Sequence, residues 1–349
     1  MSIEHWAAQA VGMGASDLHL SAGAPPMVRL HGALRTLDAA LPVSSHAQVL
    51  QVLQSLMPSE SWSEFANTLE EDFAVSLEGI GRFRVNAFHQ QRGAALVMRT
   101  IPAEVPTLAA LQAPPLLQKL ALHSSGLILV TGPTGSGKST LLAAMLDHAN
   151  RHRQGHLLTI EDPIEFVHTP QLCAVNQREV GRHTHSFEAA LRSALREDPD
   201  VILIGELRDL SSIRLALTAA ETGHLVLASL HTASAPQAVD RIVDVFAAEE
   251  KEMVRTLLAE SLLAVIAQNL CPRLDGPGRV AAHEIMVGTP AVRHLVREGK
   301  VAQLYSALQT GAQTGMQTLD QSLQALRKAG TISLEVARQC ARFPEQFAA

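Results

Sequence analysis

The sequence predicts an α/β protein made of two parts. The second part alternates short, wholly apolar strands with helix-forming segments, which is typical of a parallel sheet buried on both faces. A complete phosphate-binding loop follows the first of these strands. The first hundred residues differ, because their strands alternate apolar and polar residues between tight turns. That pattern favours a small, strand-rich α+β unit.

The predicted domain boundaries follow a change in composition. Residues 1–101 form the small α+β domain, and residues 116–349 form the larger domain, which is helical from about residue 289. Prolines at positions 102, 106, 114 and 115 are spaced through residues 102–115. Because proline stiffens the chain and removes a hydrogen-bond donor, we expect this stretch to be an interdomain linker.

Local patterns predict the individual elements. In the first domain we expect helices at residues 3–10 and 44–57, a hairpin around Gly32 within residues 27–37, and strands at residues 16–20, 72–77, 82–89 and 94–101. In the second domain the apolar strands are residues 127–131, 157–160, 201–204 and 225–230, and helices are expected at residues 290–298, 302–308 and 319–326.

Charge and aromatic content argue against a nucleic-acid translocase. The 349 residues carry 28 Lys and Arg against 34 Asp and Glu, so the net charge is −6, and aromatic residues make up 3%. Proteins that track single strands use basic grooves with aromatic stacking platforms. We therefore expect no nucleic-acid partner.

Cysteine usage and hydropathy indicate the compartment. The three cysteines, Cys173, Cys271 and Cys340, lie far apart and form no CxxC pair, so neither a zinc ribbon nor a disulfide framework is predicted. No apolar run approaches the ~18 residues of a membrane span, and the first residues lack a signal-peptide pattern. The expectation is a soluble, cytoplasmic protein without a transmembrane segment.

The phosphate-binding loop has both its sequence and its context. It lies between the apolar strand at residues 127–131 and a helix-forming segment. Its glycines let backbone N–H groups point into a phosphate-sized nest at the positive end of that helix. We expect Lys138 to reach the β- and γ-phosphates and Ser139 to bind Mg²⁺. The predicted nucleotide-binding residues are Gly132, Pro133, Thr134, Gly135, Ser136, Gly137, Lys138, Ser139 and Thr140.

Two further apolar strands end in acidic residues. Residues 161–165 (EDPIE) follow one strand, and Glu206 ends the other. Because ligands bind at the carboxyl ends of strands in open α/β sheets, we expect these carboxylates to face the bound phosphates. There they can orient a water or support the metal. A single acid of this kind is ordinarily a solvated loop residue, but two on strands that follow a phosphate-binding loop favour function.

A histidine lies at each end of the strand at residues 225–230. His231 is at the carboxyl end, on the phosphate side, and His224 is at the amino end, nearer the helix layer or a neighbouring subunit. Metal ligation is an alternative, but the sequence offers no third ligand at a metal spacing. Ordinary polar histidines at strand ends remain the other alternative.

Taken in order, these motifs resemble those of a known superfamily. The loop, the acidic stretch at residues 159–166, the stretch at residues 195–209 and the strand with its two histidines look like the Walker A, Asp box, Walker B and His box of the secretion ATPases. Residues 291–298 (AVRHLVRE) resemble the C-terminal motif AIRNLIRE of PilT-type pilus retraction motors. The resemblance runs from about residue 16 to residue 344.

The resemblance implies a PAS-like N-terminal domain, a RecA-like ATPase domain and a homo-hexameric ring that uses ATP and Mg²⁺. By this likeness, Glu206 is the water-activating Walker B glutamate, Glu165 is the functional Asp-box glutamate, and His224 and His231 are the His-box pair. Arginines of the N-terminal domain complete such sites, and Arg84 and Arg99 match them. A surface charge on a β-hairpin is the alternative for both arginines.

The implied activity is an ATP-driven motor for type IV pilus retraction, meaning pilus disassembly and twitching motility. Such a motor is cytoplasmic, is peripherally associated with the inner membrane at the pilus base, and works on the platform protein and associated pilus machinery. An accessory retraction ATPase or a nucleotide-binding ring scaffold is the alternative. A pilus assembly ATPase fits less well, since such proteins usually carry a tetracysteine zinc motif and an extra N-terminal domain.

The chain departs from the family pattern at a few positions. His294 stands where the C-terminal motif usually has asparagine, and Val292 and Val296 stand where it has isoleucine. These changes keep the amphipathic pattern of the helix. Gly205 stands where many P-loop enzymes carry a metal-binding aspartate, so we expect Ser139, phosphates and water to hold most of the Mg²⁺.

Overall fold

A computed structural model describes residues 2–30, 32–38, 41–101 and 104–347. The chain divides into two compact units. The first comprises Met1–Glu104 together with Pro163–Val167, and the second comprises Val105–Asp162 and His168–Ala349. Positions 102 and 103 of the predicted linker lie outside the described residues, and residues 105–115 are grouped with the second unit. Leu108 is buried in the core of that unit.

The first unit is built on a six-stranded antiparallel sheet with the order β3-β2-β1-β6-β5-β4. Its strands are β1 (Asp17–Ser21), β2 (Met27–Leu30), β3 (Ala33–Thr36), β4 (Glu70–Leu77), β5 (Gly81–Gln90) and β6 (Gly93–Ile101), and its helices are α1 (Ile3–Gly12), α2 (His46–Leu56) and α3 (Ser59–Thr68). Apolar faces of the helices and strands share one core, which includes Leu53, Phe65 and Phe83. The predicted hairpin at residues 27–37 is confirmed as β2 and β3.

The second unit is built on a seven-stranded sheet with the order β13-β12-β7-β11-β10-β8-β9. Its strands are β7 (Gly126–Thr131), β8 (Gly155–Glu161), β9 (Cys173–Glu179), β10 (Val201–Ile204), β11 (Leu225–Leu230), β12 (Leu262–Pro272) and β13 (Arg279–Val287). All neighbouring strands run parallel except β12 and β13, which form an antiparallel pair. The predicted fold class, with a mostly parallel sheet, is confirmed.

Helices cover both faces of this sheet. They are α4 (Leu116–Ala121), α5 (Lys138–His152), α6 (Phe187–Ala194), α7 (Leu210–Glu221), α8 (Ala235–Asp244), α9 (Lys251–Ser261), α10 (Pro290–Arg297), α11 (Val301–Thr310), α12 (Leu319–Lys328) and α13 (Leu334–Cys340). Along β7, Leu129 packs into one apolar cluster and Ile128 into another, so successive side chains enter opposite layers. This explains why the sequence of β7 is apolar at every position. No helix within the described ranges is long and apolar enough to cross a bilayer.

The predicted bounds agree best with the structure for strands that are wholly apolar. β10 and β11 have the predicted bounds, and β7 and β8 extend the predicted strands by one to three residues. Sequence reasoning missed α3, β9, β12 and β13. The apolar run of β12 follows α9 directly, because α9 ends at Ser261 and β12 begins at Leu262, so no turn signal separates them. Periodicity alone does not divide such a run.

The helix at residues 290–298 is confirmed as α10, and one of its arginines is a packing residue. The guanidinium of Arg293 donates from Nε to the carbonyl of Gly288 at 2.8 Å and from Nη1 to the carbonyl of Glu260, at the end of α9. Arg297 instead makes a 3.7 Å ion pair with Glu260 and is about half exposed. The two arginines of the motif therefore have different structural roles.

Replacing each arginine by methionine should separate these roles. Arg293→Met leaves two backbone carbonyls without their donor, so we expect a loss of about 1–3 kcal/mol in the free energy of unfolding. Arg297→Met removes an exposed ion pair, for which about 0–1 kcal/mol is expected. Urea unfolding of both variants measures the difference. Equal losses would show that Arg293 does not fix α10 to α9.

Candidate functional site

The phosphate-binding loop joins β7 to α5. Gly132, Gly135 and Gly137 have φ angles of +145°, +78° and +86°, in a region that side-chain-bearing residues rarely adopt. Pro133, Thr134 and Gly135 are exposed, whereas Ser136 is buried. α5 begins at Lys138, so its free N–H groups open into the loop. The loop therefore ends at the positive end of a helix, where the sequence predicts phosphate binding.

Lys138 crosses the loop that it follows. Its ammonium group donates to the carbonyls of Gly132, at 2.9 Å, and Pro133, at 3.1 Å, and the residue is largely buried. The charge is therefore held against the backbone of the loop. Ser139 and Thr140 lie in the first turn of α5, with Ser139 exposed and Thr140 half-buried.

The carboxyl ends of four parallel strands coincide beside this loop. Ile204 of β10 pairs with Ala228 of β11 and Ile160 of β8, and Thr131 of β7 pairs with Leu230 of β11. The residues that leave these strands therefore emerge at one edge of the sheet. The hydroxyl of Thr131 accepts a 2.8 Å hydrogen bond from the backbone N–H of Thr232, which ties the start of the loop to the end of β11.

Glu206 and His231 meet at this edge. His231 Nε2 lies 3.2 Å from Glu206 Oε1. The backbone between them is fixed, because Leu207 N–H donates to the Ser229 carbonyl at 3.0 Å and the Ser229 hydroxyl donates to the Gly205 carbonyl at 2.5 Å. Glu206 is thus a partly exposed carboxylate with a set direction.

Arg208 joins the same group of side chains, and sequence reasoning gave it no role. Its Nε donates to Glu206 Oε2 at 2.7 Å, and its Nη1 lies 3.5 Å from Asp162 Oδ2, at the end of β8. One guanidinium therefore links the acids that follow two neighbouring strands. The signal that could have found it is its position two residues after the strand-end acid, where an extended chain brings i and i+2 to one side.

Glu161, the last residue of β8, and Glu165, which follows the strand, differ in position. Glu161 Oε1 accepts from the Thr159 hydroxyl at 2.6 Å and from the Gln177 amide at 3.3 Å, so it stabilises the edge between β8 and β9. Glu165 lies in Pro163–Val167, the segment grouped with the first unit, and is half-buried. Its role stays a prediction.

His224 lies at the opposite end of β11 from His231. Its Nδ1 is 3.0 Å from the carbonyl of Ala219, and its backbone N–H donates to the same oxygen at 3.1 Å, at the end of α7. The structure therefore separates His224 from Glu206, as the sequence pattern predicts. Among the described residues, no group of three or more His, Cys, Asp or Glu side chains is placed to hold a metal ion.

The two candidate arginines face each other in the first unit. Arg84 on β5 pairs in register with Arg99 on β6, which pairs in turn with Asp17 on β1. Arg84 makes a two-pronged contact with Asp72, with Nη2 to Oδ2 at 2.6 Å. Arg99 Nε lies 2.9 Å from Asp17 Oδ1, yet most of the Arg99 side chain is exposed.

Arg84, Arg99 and Asp17 lie side by side on β5, β6 and β1 and form a charged row, in which Asp17 is the buried member. Burial alone would raise its pKa, but the hydrogen bonds from Arg99 and Ser16 hold the pKa of Asp17 below its usual value. Arg29, on β2, pairs in register with Asp17 and extends the row. The row concentrates positive charge on exposed arginine tips and anchors it at one buried acid.

A cavity of about 400 Å³ continues from the loop within the second unit. It shares Gly137 and Thr140 with the loop, and its other wall is formed by the β12–β13 hairpin and the segment before α4. Lining side chains include Leu111, Gln112, Leu270, Arg273 and Arg279. Apolar surface with a few polar groups suits a planar base and its sugar. Sequence reasoning missed this cavity, because its walls come from three separated segments.

Comparisons with known proteins agree with this geometry. The model of the family described as type II/IV secretion system protein matches residues 2–277. The chain is 57% identical over 347 residues to the type IV pilus retraction ATPase PilT of Pseudomonas aeruginosa, covering 99% of this chain and 100% of that protein. It is 55% identical over 322 residues to a twitching motility protein of Neisseria gonorrhoeae, covering 92% and 86%.

A solved structure is similar over the same length. The crystal structure of the pilus retraction motor PilT with bound ADP superposes with a TM-score of 0.92 at 43% identity, covering 99% of this chain and 98% of that one. The fold, the loop and the near-full-length likeness agree. The chain belongs to the type II/IV secretion system protein family, in its group of PilT-like pilus retraction ATPases.

Proposed function

We propose that this chain is a Mg²⁺-dependent ATPase that works as a homo-hexamer to power type IV pilus retraction. The proposed ATPase activity is supported by one observation: the phosphate-binding loop, Glu206 and His231 all lie at the same edge of the sheet. The retraction part is supported by 57% identity to a protein named for that activity.

Nucleotide binding uses groups of the second unit. The N–H groups of residues 134–138 surround the phosphates, Lys138 supplies a positive charge, and the base and ribose occupy the 400 Å³ cavity. Ser139 has an exposed hydroxyl in the first turn of α5, which fits a Mg²⁺ ion that completes its shell with phosphate oxygens and water. Bound there, Mg²⁺ would neutralise phosphate charge.

Glu206 is the group that activates the attacking water. Its two oxygens are held by His231 and Arg208, but a carboxylate oxygen has room for a second hydrogen bond, so each can still accept one from water. The carboxylate orients the water towards the phosphate and takes its proton. Because two side chains already hold the carboxylate, it loses little conformational freedom on reaching that position.

Arg84 and Arg99 complete the site in the assembled ring. Arginine suits this task because its planar fork binds phosphate oxygens in pairs. The ion pair of Arg84 with Asp72 is partly exposed, with both side chains more than a third accessible, and such pairs are weak. Exchange of Asp72 for a phosphate therefore costs little.

A nucleotide-binding scaffold without turnover fits less well. Such a subunit has no use for an oriented carboxylate beside its phosphate-binding loop, yet two side chains hold Glu206 in place. In cells we propose a cytoplasmic position at the inner-membrane base of the pilus, with the platform protein and associated machinery as partners. α10 offers the exposed side chains of His294 and Arg297 for such contacts.

Glu206→Gln tests the catalytic assignment. The amide keeps the size of the side chain but takes no proton, so turnover of ATP should fall by about 10²–10⁴-fold. The dissociation constant for ATP should change by less than about threefold, since the phosphate nest is untouched. Phosphate-release kinetics and calorimetric titration measure the two quantities.

Glu188→Gln is the matched control, because Glu188 is an exposed acid on α6 that pairs only locally, with Arg192. It should behave as wild type in both assays. Weak ATP binding with unchanged turnover per bound ATP would remove Glu206 from the catalytic role. Lys138→Ala should show the opposite pattern to Glu206→Gln, with binding lost first.

Arg208→Met tests whether the linked guanidinium positions Glu206. Loss of one charged hydrogen bond, discounted for its exposure, should lower kcat by about 3- to 30-fold with little change in ATP affinity. Arg192→Met removes a comparable exposed ion pair on α6 and should leave kcat unchanged. Steady-state kinetics decide the matter, and equal kcat values for the two variants would refute the positioning role.

A further inference from the structure

Gln268 is a buried amide on β12, the strand that lies beside β7. Most of β12 is apolar, and the strand packs within the cores of the second unit. The Nε2 of Gln268 donates to the carbonyl of Ser136 at 2.6 Å, inside the phosphate-binding loop. A buried polar side chain costs free energy unless it is hydrogen-bonded, so this contact is the reason the residue is tolerated there.

The contact fixes one peptide group of the nest. In a trans peptide the C=O and N–H groups point in opposite directions. Gln268 holds the Ser136 carbonyl on the β12 side, so the N–H of Gly137 points away from β12. That N–H is one of the groups at the N-terminus of α5 that bind phosphate.

Gln268 also packs tightly against both ends of the loop. A Cβ placed on Gly137 would lie 2.8 Å from Gln268 Nε2, and a Cβ on Gly132 would collide with the Gln268 backbone carbonyl. Both glycines have positive φ angles. The close approach of β12 therefore explains two of the three loop glycines by space as well as by backbone conformation.

His283 sets the direction of the Gln268 amide. The two residues are direct cross-strand partners on β12 and β13, and His283 Nε2 lies 3.0 Å from Gln268 Oε1. Because an amide oxygen only accepts, the ring donates from Nε2, and the amide nitrogen is left facing Ser136. Burial lowers the pKa of His283 to about 4, so the ring is uncharged at neutral pH.

The ring itself is held through its backbone. The His283 N–H donates to the Ser322 hydroxyl at 3.1 Å, and the His283 carbonyl accepts from the Gln317 amide at 2.9 Å. A chain of hydrogen bonds thus runs from the C-terminal helices through β13 and β12 to the loop. The bonds from Ser322 and Gln317 hold the β13 backbone, whereas only the His283–Gln268 contact acts on the direction of the amide.

We propose that Gln268, oriented by His283, is a positioning residue that fixes the Ser136–Gly137 peptide for phosphate binding and thereby sets the affinity for nucleotide. The inference rests on the proposed nucleotide site. Both residues also line the 400 Å³ cavity assigned to the base and ribose. The effect proposed for them is exerted through the backbone of the loop. The phosphate-binding loop holds the phosphates equally well in the bound ATP complex and in the transition state. Weakening the loop therefore weakens nucleotide binding and leaves the rate of the bound complex unchanged.

Gln268→Met in the full chain tests this inference. Methionine has nearly the same length and lacks the donor, so the dissociation constant for ADP should rise by about 5- to 50-fold, measured by calorimetric titration. KM for ATP should rise by a similar factor, while kcat changes by less than about threefold. His283→Leu should give a rise in the same direction, and His283→Gln, which keeps an N–H donor, should restore most of the affinity.

Ser322→Ala is the matched control, because it removes a hydrogen bond from His283 while leaving the ring and Gln268 in place. It should lower thermal stability as much as Gln268→Met does, with ADP affinity unchanged. The double variant Gln268→Met/His283→Leu should bind ADP no more weakly than Gln268→Met alone, since the two residues act in series.

Three results would overturn the inference. They are wild-type ADP affinity in Gln268→Met, equal weakening in Ser322→Ala, and no difference between His283→Leu and His283→Gln. Failure of the wild-type chain to bind ADP would instead refute the proposed function, and so would full binding by Lys138→Ala. If Gln268→Met does not fold, the comparison of the two His283 variants decides the question by itself.

Discussion

The arrangement of the site depends on the register of four parallel strands. β7, β11, β10 and β8 pair side by side so that they end together. A shift of one residue in any pair would turn the last side chain of that strand to the other face of the sheet. With the register as it is, the phosphate-binding loop, His231, Glu206 and Asp162 all leave the sheet at one edge. Burial of both faces by helices keeps the register fixed.

Hydrogen bonds then fix the positions of the side chains and the loop that the strand register brings to this edge of the sheet. Arg208 joins Glu206 to Asp162, and His231 holds the other oxygen of Glu206. On the far side of the loop, the antiparallel β12–β13 pair adds the Gln268–His283 contact. The loop is therefore fixed from two directions, by β11 through Thr131 and by β12 through Gln268. Apart from the Glu206–Arg208 hydrogen bond, which joins residues two positions apart, each contact crosses between neighbouring strands of the sheet.

The difference between local sequence patterns and contacts between strands explains which features the sequence could predict. The loop, β10 and β11 were found because each is a local pattern: a glycine spacing, or a wholly apolar run that ends in a polar residue. His224 and His231 were placed at opposite ends by the same local reasoning. Gln268 was not found, since one glutamine in a strand has no local pattern that reveals its partners. Arg208 was not found either, although it lies two residues after the strand-end acid Glu206.

The strands β12 and β13 were missed for a related reason. The apolar sequence of β12 continues directly from α9, and the element becomes recognisable only when β7 and β13 pair with it. The resemblance to the secretion ATPases gave roles to Glu165, Arg84 and Arg99 that the residues alone could not give. For Arg84 and Arg99 the structure adds their partners in the first unit, and their part in the assembled ring stays a proposal.

ATP-driven pilus retraction by this chain is tested most directly in cells. A strain of Pseudomonas aeruginosa that lacks the 57% identical relative is supplied with this chain or with its Glu206→Gln variant. Pilus number is then counted by electron microscopy and twitching is scored on agar. We expect the wild-type chain to restore twitching and Glu206→Gln to leave cells with excess pili that do not move. If cells that express the wild-type chain keep the excess pili and do not twitch, or if Glu206→Gln restores movement equally, the chain is not an ATP-driven retraction motor.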